Sequence, residues 1–417
     1  MLKNYLKITF AVMRRRKFYT FISLFGISMT LTVLIVITAF FDNLFSPNYP
    51  ELNRDRTLYS SRIEQRDTVR HNTNSSDMSR YFIETYMMTL KTPEKVSAVG
   101  NHNLTTYFNN QKAEIRIKYT DADFWDIMTY NFTEGKAFTI ETIKSNENAI
   151  ILSSDFRDKY FGKDQAVVGK TVELDNEMFR IVGVVKGSSE IQGHFVIGDI
   201  YMPYTADKSL DKDNKTYNGR YTAIILAKNK GDLDAIQEEW AAVLPKIPMH
   251  HEGDFKPQVI HVHPETAIGN LIYELAGSGD NNGKSIFTAV LLGFAFLFMS
   301  LPALNLINVN ISRIMERASE IGIRKAFGAS ANTLTLQFII ENIILTIIGG
   351  TLALLLSGLI IAFLNRTGVG SIPYLNLAIN WKVAVVAFIL SLIFGLLSGV
   401  YPAWRMAKLS VVEALRA

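Results

Sequence analysis

Apolar runs without charge alternate along this chain with short basic segments, and one long polar stretch interrupts the alternation. Residues 18–41 contain no charged side chain. As a helix this run reaches about 36 Å, enough to cross a bilayer with some tilt. It is too long for the core of a cleaved signal peptide, and no A-x-A-like site follows, so an uncleaved anchor is expected. Three later runs, 286–311, 334–364 and 383–401, predict three further spans. The second holds Pro302, Asn305, Asn308 and Asn310, groups that kink a helix or need polar partners. The third carries Gln337 and Glu341 in its first turns and the close-packing pair Gly349 and Gly350. The fourth has Gly395 and Gly399 at GxxxG spacing. A carboxylate inside a span is costly. Glu341 lies near the cytoplasmic end, where pairing with Arg324 or Lys325, or capping of a neighbouring helix, gives it a structural role.

Residues 42–285 differ in character, being polar and mixed in charge, and are too long for a loop. Alternation at 112–119, 178–185 and 221–227 predicts strands, and segments near 77–91, 121–129, 153–161 and 230–244 read as helices. The stretch is expected to form an α+β domain with its own core. Ahead of the first span, residues 1–17 hold Lys3, Lys7, Arg14, Arg15, Arg16 and Lys17 and no acid. Leu2, Leu6, Phe10 and Met13 recur at helical spacing, which predicts an amphipathic helix on an anionic membrane surface. Basic residues also collect at 312–333 and in the tail 402–417, where Ser410 and Glu413 have the spacing of a capping box. The positive-inside rule puts these three segments, and so both termini, in the cytoplasm. It puts 42–285 and the loop 365–382 outside.

The segment 316–330, ERASEIGIRKAFGAS, is a charged island between two apolar runs. Glu320 and Arg324 stand at i,i+4, and Gly328 suits a helix stop, so a short helix just outside the membrane is expected. Elsewhere the sequence offers little chemistry. The formal charge of +4 is too small to imply nucleic acid, and the absence of cysteine excludes disulfides and thiol catalysis. DQAVVGKT at 164–171 ends like a phosphate-binding loop, but Asp164 stands where that motif needs glycine. His250, His251, His261 and His263, with Glu252 and Glu265, are a conceivable zinc set, although such spacings are common on ordinary surfaces. Asp121, Asp123 and Asp126 read as a solvated helix start rather than a catalytic cluster.

EIGIRKAFGAS resembles the cytoplasmic loop of FtsX/MacB-type ABC-transporter permeases, and the terminal YPAWRMAKLSVVEALRA resembles the end of the same family. The run KYFGKDQAVVGKTVELDNEMFRIVGVVKG is similar to a segment of MacB-type periplasmic domains, with Gly162 and Gly169 in turns and Phe179 to Val185 as a buried strand. The resemblance implies four transmembrane helices and, between the first two, an extracytoplasmic domain of porter-like type with a second subdomain inserted near 120–210. It implies a protein of the inner membrane that is not itself an enzyme. No cofactor is expected in the chain, since ATP and Mg would be bound by separate cytoplasmic ATPase subunits. The coupling contact is then expected at Glu320, Ile321, Gly322, Ile323, Arg324, Lys325, Ala326, Phe327 and Gly328. Other implied partners are a second permease copy or sister permease, membrane lipids and, for efflux, a periplasmic adaptor or outer-membrane channel. No metal is implied. Mechanotransmission serving export is the expected mode; lipoprotein release and activation of cell-wall hydrolases are the alternatives. A membrane-anchored receptor fits less well, because the cytoplasmic segments are too short for an output domain.

Overall fold

A computed structural model describes residues 2–15, 17–108, 111–188, 196–210, 215–250, 255–276, 331–367 and 377–386, with isolated residues between 285 and 327 and between 388 and 393. The chain divides into two compact units. One comprises Met1–Asp42, Thr288–Gly368 and Leu375–Ala417; the other comprises Asn43–Phe287 and Val369–Tyr374.

In the first unit, helix α1 (Leu2–Arg15) carries no acid in its first turn and ends on Arg14 and Arg15, which suits the negative end of a helix dipole. Helix α2 runs over Lys17–Phe45, longer than the uncharged run at both ends. Several of its hydroxyls are satisfied within the helix, as an apolar setting demands. Thr30 donates to the Gly26 carbonyl at 2.7 Å and Thr32 to that of Ser28 at 2.7 Å. A long helix over Ala331–Thr367, called α9 below, packs against α2. Stretches of both helices, Thr20–Asn43 and Ile339–Thr367, are long and apolar enough to cross a membrane. Ile27 and Leu31 meet Leu345 and Ala353 in a small core, and Thr32 also reaches the Ala353 carbonyl at 3.3 Å. Gly349 makes this approach possible: a Cβ there would lie 2.7 Å from Ile27 Cγ2. On the next residue, Gly350, it would lie 2.6 Å from Phe388 Cε2. The close-packing role expected of this glycine pair is therefore seen. Away from that seam, Phe18, Phe21, Phe25 and Met29 on α2 and Leu352, Leu355, Leu359 and Phe363 on α9 form exposed apolar stripes. Stripes of this kind match a lipid-facing surface. The second and fourth predicted spans fall largely outside the described residues. Within them, 286, 289–290, 293–294, 296–297, 383–386, 388–389 and 392–393 are helical.

The second unit is built on one sheet of thirteen described strands. In chain order they are β1 (Thr57–Ser60), β2 (Arg62–Asp67), β3 (Asn72–Met78), β4 (Lys95–Phe108), β5 (Gln111–Thr120), β6 (Phe132–Gly135), β7 (Ala149–Ser153), β8 (Thr171–Leu174), β9 (Glu177–Val185), β10 (Ile200–Pro203), β11 (Asn218–Gly219), β12 (Tyr221–Leu226) and β13 (Val259–His261). Their order is β13-β2-β3-β12-β4-β5-β10-β7-β9-β6, with β1 beside β12, β11 beside β3 and β8 beside β9. Six short helices accompany them: α3 (Arg80–Phe82, running into a π turn at Ile83–Met87), α4 (Ala122–Ile127), α5 (Ile140–Lys144), α6 (Ser154–Phe161), α7 (Leu233–Val243) and α8 (Ala267–Ala276). Side-chain oxygens start five of them: Ser79, Asp121, Thr139, Ser153 and Thr266 accept from the N–H groups of Phe82, Phe124, Thr142, Phe156 and Gly269. Two large buried clusters flank the sheet, one including Phe82, Ile115, Phe156 and Trp240, the other Phe124, Ile151, Tyr201 and Ile224.

The predicted α+β domain is thus present, and the expected strands at 112–119, 178–185 and 221–227 are β5, β9 and β12. The helix read over 77–91 is a correction. Chain pairing with β2 and β12 keeps residues to Met78 extended, and only 80–87 are helical. The segment expected as an inserted subdomain supplies β6 to β10, which lie together at one end of the sheet. It is joined to the rest through four parallel pairs, Ile117–Thr120 with Ile200–Pro203.

Candidate functional site

The expected coupling segment is represented by two described residues. The Phe327 N–H donates to the Ile323 carbonyl at 3.1 Å, the i→i−4 bond of one α-helical turn. Both side chains are exposed, Ile323 at 51% and Phe327 at 87%. Large apolar groups one turn apart share a helix face, so this turn presents an apolar face within a basic segment. Glu320, Ile321, Gly322, Arg324, Lys325, Ala326 and Gly328 lie outside the described residues. Further along the same unit, Glu341 is 1% exposed on α9, accompanied by buried Gln337, Asn342 and Thr346. Thr346 returns its hydroxyl to the Asn342 carbonyl at 2.9 Å. Arg324 and Lys325, the partners expected for Glu341, lie outside the described residues.

In the second unit, the sequence 164–171 does not form a phosphate cradle. It enters a strand, β8, where such a loop must open a helix to aim N–H groups at an anion. Asp164 reaches Arg157 at 3.2 Å, and Gly162 and Gly169 take positive φ of 99° and 90°, as turns require. β9 is the buried strand expected there. His261 and His263 stack at 6.1 Å between ring centroids, His263 contacts Tyr273, and His250 contacts Tyr217. His251 lies outside the described residues. Among the described residues, no three His, Asp or Glu side chains converge as metal ligands. The acidic trio is a helix start, but Asp121 is not solvated. Its carboxylate accepts from Ser97 Oγ at 2.6 Å, from the Ala98 N–H at 3.1 Å and from the Phe124 N–H at 3.0 Å. Burial raises its pKa, opposed by the charge of Arg80. Asp123 and Asp126 pair with Lys95.

Sequence reading missed the buried charged groups that fix this domain. Arg80 stacks 3.3 Å over the Tyr204 ring and bonds Glu84 at 2.7 Å. Glu51 pairs with Arg54 and accepts from Tyr59 Oη at 3.0 Å. Burial pushes the Glu51 carboxyl up to about 7 against the pull of Arg54. Lys118 is buried in β5 and donates to Asn101. Burial, reinforced by Arg116, lowers its pKa to about 8. A lysine that holds its proton less tightly folded than unfolded costs stability at every pH below about 8. The cost fades as pH rises towards the unfolded value of 10.5. At roughly 1.4 kcal/mol per unit, the gain across that window is on the order of 3 kcal/mol. Lys118→Met should abolish this alkaline rise. Urea unfolding between pH 7 and 11 tests it, and an unchanged slope in the variant would remove the assignment to Lys118.

Two known families match successive parts of the chain. Residues 20–243 match the MacB-like periplasmic core domain, and residues 292–411 match the FtsX-like permease C-terminal. An uncharacterized ABC transporter permease, YknZ of Bacillus subtilis (strain 168), is 22% identical over 323 residues, covering 78% of this chain and 75% of that protein. The macrolide export ATP-binding/permease protein MacB of Escherichia coli (strain K12) is 24% identical over 317 residues, covering 76% of this chain. That alignment spans 45% of the MacB protein, less than half its length. Among solved structures, the extracellular domain of YknZ aligns with 49% of this chain and 98% of its own at 15% identity and a TM-score of 0.37. The periplasmic region of MacB from Actinobacillus actinomycetemcomitans aligns with 54% of this chain and 94% of its own at 12% identity and a TM-score of 0.38. The chain belongs to the ABC-transporter permease family in which a MacB-like periplasmic core domain is joined to an FtsX-like permease C-terminal.

Proposed function

We propose that this chain is the permease component of a MacB/FtsX-type machine, driven by ATP hydrolysis in partner subunits bound at 316–330. The observation that carries the reading is the exposed apolar turn Ile323–Phe327 in a basic segment between two apolar runs. A groove on an ATPase would cover that face, while Arg324 and Lys325 supply charged contacts around it. Closure of two ATPase subunits would shift the segment as a rigid lever. Helices such as α2 and α9 would carry the displacement to the extracytoplasmic domain. The domain would thereby act on a substrate outside the inner membrane, in export or extraction, within a permease dimer.

The test uses the full chain, tagged and purified from its native membrane. An ABC ATPase should co-purify, and Phe327→Asp should abolish that association. Thermal unfolding should not change, since the side chain is already exposed. The absence of cysteine also allows clean labelling. With a membrane-impermeant maleimide, Val69→Cys should label on intact cells and Phe327→Cys only after permeabilisation. Labelling of both in intact cells would overturn the relay.

A further inference from the structure

Two pieces of chain join the second unit to the apolar runs on either side of it. The first leaves α2 at Phe45 and reaches β1 at Thr57. The second leaves β13 at His261 and forms α8, which ends at Ala276 with nine residues between it and the run 286–311. Both pieces are fastened to Tyr59, a residue of β1 that is 1% exposed. Its backbone takes the second piece. The Tyr59 N–H donates to the Glu265 carbonyl at 2.7 Å, and the Glu265 N–H donates to the Tyr59 carbonyl at 2.9 Å, the double exchange of an antiparallel pair. Its side chain takes the first piece: Tyr59 Oη donates to Glu51 Oε1 at 3.0 Å. Arg54 Nε donates to the other carboxylate oxygen at 2.8 Å, and Glu51 and Arg54 are both buried. Burial, and then the charge of Glu51, keep the Tyr59 hydroxyl well above its usual pKa, so it remains a donor. From the sheet side β12 fixes the same residue, in register with Ile224.

The first piece also carries ties to a distant part of the domain. The Thr129 N–H donates to the Pro50 carbonyl at 2.8 Å, Asn53 Nδ2 to the Ile127 carbonyl at 3.2 Å and Tyr49 Oη to the Lys186 carbonyl at 2.8 Å. Ile127 ends α4, Thr129 follows it and Lys186 follows β9, so a displacement of 49–53 reaches that end of the sheet as well as β1. The second piece is held by α7, through Trp240 Nε1 on the Val262 carbonyl and Gln237 Nε2 on the Pro264 carbonyl, each at 2.7 Å. We propose, on the reading that the permease is driven at 316–330, that Tyr59 is the positioning residue of the relay: it clamps both pieces to one strand, so that a push arriving along either is shared by both before it spreads through the domain. A hydroxyl bonded to a buried carboxylate is among the stronger ties a side chain makes, which suits a clamp under load.

The experiment uses the full chain in lipid nanodiscs at pH 8, above the Glu51 midpoint of about 7. Spin labels on Leu52→Cys and Ile268→Cys mark the two pieces; both side chains are exposed, and the chain has no cysteine of its own. With Tyr59 in place the labels should give a single narrow distance distribution. Tyr59→Phe removes the hydroxyl, keeps the ring in the core and should broaden that distribution. Amide exchange over 48–56 should rise about tenfold or more in the variant, as loss of a bond to a charged group implies, while exchange over β4 and β5 stays at the wild-type rate. That contrast separates release of one tie from a general loosening. With the co-purified ATPase present, ATP should leave the distance unchanged when Tyr59 is in place and shift it in Tyr59→Phe. If the ATPase does not drive this chain, the ATP response of the variant is missing while the broadening and the faster exchange remain, so the two readings fail separately. A distance that changes with ATP while Tyr59 is in place would overturn the clamp even if Tyr59→Phe misfolds. So would a variant whose distance distribution and exchange match wild type.

Discussion

Gly135→Val should destabilise the extracytoplasmic domain by about 4 kcal/mol or more. Gly135 ends β6 with φ of 66°, a conformation a β-branched residue adopts only under strain. A Cβ there would lie 2.0 Å from the Val182 carbonyl oxygen and 2.8 Å from Gly183 Cα. Both are backbone atoms, so no side-chain rotation relieves the overlap, and the β6–β9 ladder has to part. For a domain of this size each kcal/mol moves the melting temperature by about 2–4 °C. The expected drop is therefore roughly 8–16 °C. Trp125, whose ring lies 5.5 Å from that of Phe132 on β6, offers a local fluorescence signal for the transition. A melting temperature within about 2 °C of wild type would show that the approach at Gly135 is looser than described.

Asp207→Ala is the second large effect. This carboxylate is fully buried and accepts from Tyr221 Oη at 2.7 Å, Arg220 Nη2 at 2.8 Å, Ser209 Oγ at 2.7 Å and the Ser209 N–H at 3.0 Å. Burial and the neighbouring carboxylate together hold the Tyr221 hydroxyl well above its usual pKa, so the tyrosine remains a donor. Truncation leaves a buried hydroxyl and a half-buried guanidinium without their acceptor, which costs about 3–5 kcal/mol. Asp207→Asn keeps the size and an acceptor oxygen and should recover part of that loss. The urea midpoint at unchanged m value measures both variants. Wild-type stability in the alanine variant would mean that the network is not what fixes the loop after β10.

Much of the architecture was legible because apolar patterning survives wherever a face is buried. β5, β9 and β12 alternate or are rich in β-branched residues, and α2 and α9 announce themselves by length. β3 could not be read this way. Its sequence NTNSSDM has no apolar residue before Met78, and it is a strand because β2, β11 and β12 supply partners. β4 fails for a related reason: Asn101, His102, Asn103 and Thr105 interrupt the alternation, and the ladder with β5 compensates. The buried charges were equally opaque. Arg80, Asp121 and Asp207 look like surface residues until distant segments bring Tyr204, Ser97 and Tyr221 to them. For the proposed coupling segment, motif, charge and apolar residues were legible in the sequence, and the structure describes only Ile323 and Phe327 of it, both exposed.

The four-residue seam between β5 and β10 bears on how the domain handles load. Because those strands run parallel, a pull along them stresses all the rungs at once, in shear, instead of peeling them one by one. The two ends of the sheet should then resist sliding past each other and answer a tug as a single stiff plate. Such a plate passes on a displacement it receives; a pair of lobes on a soft hinge would absorb it.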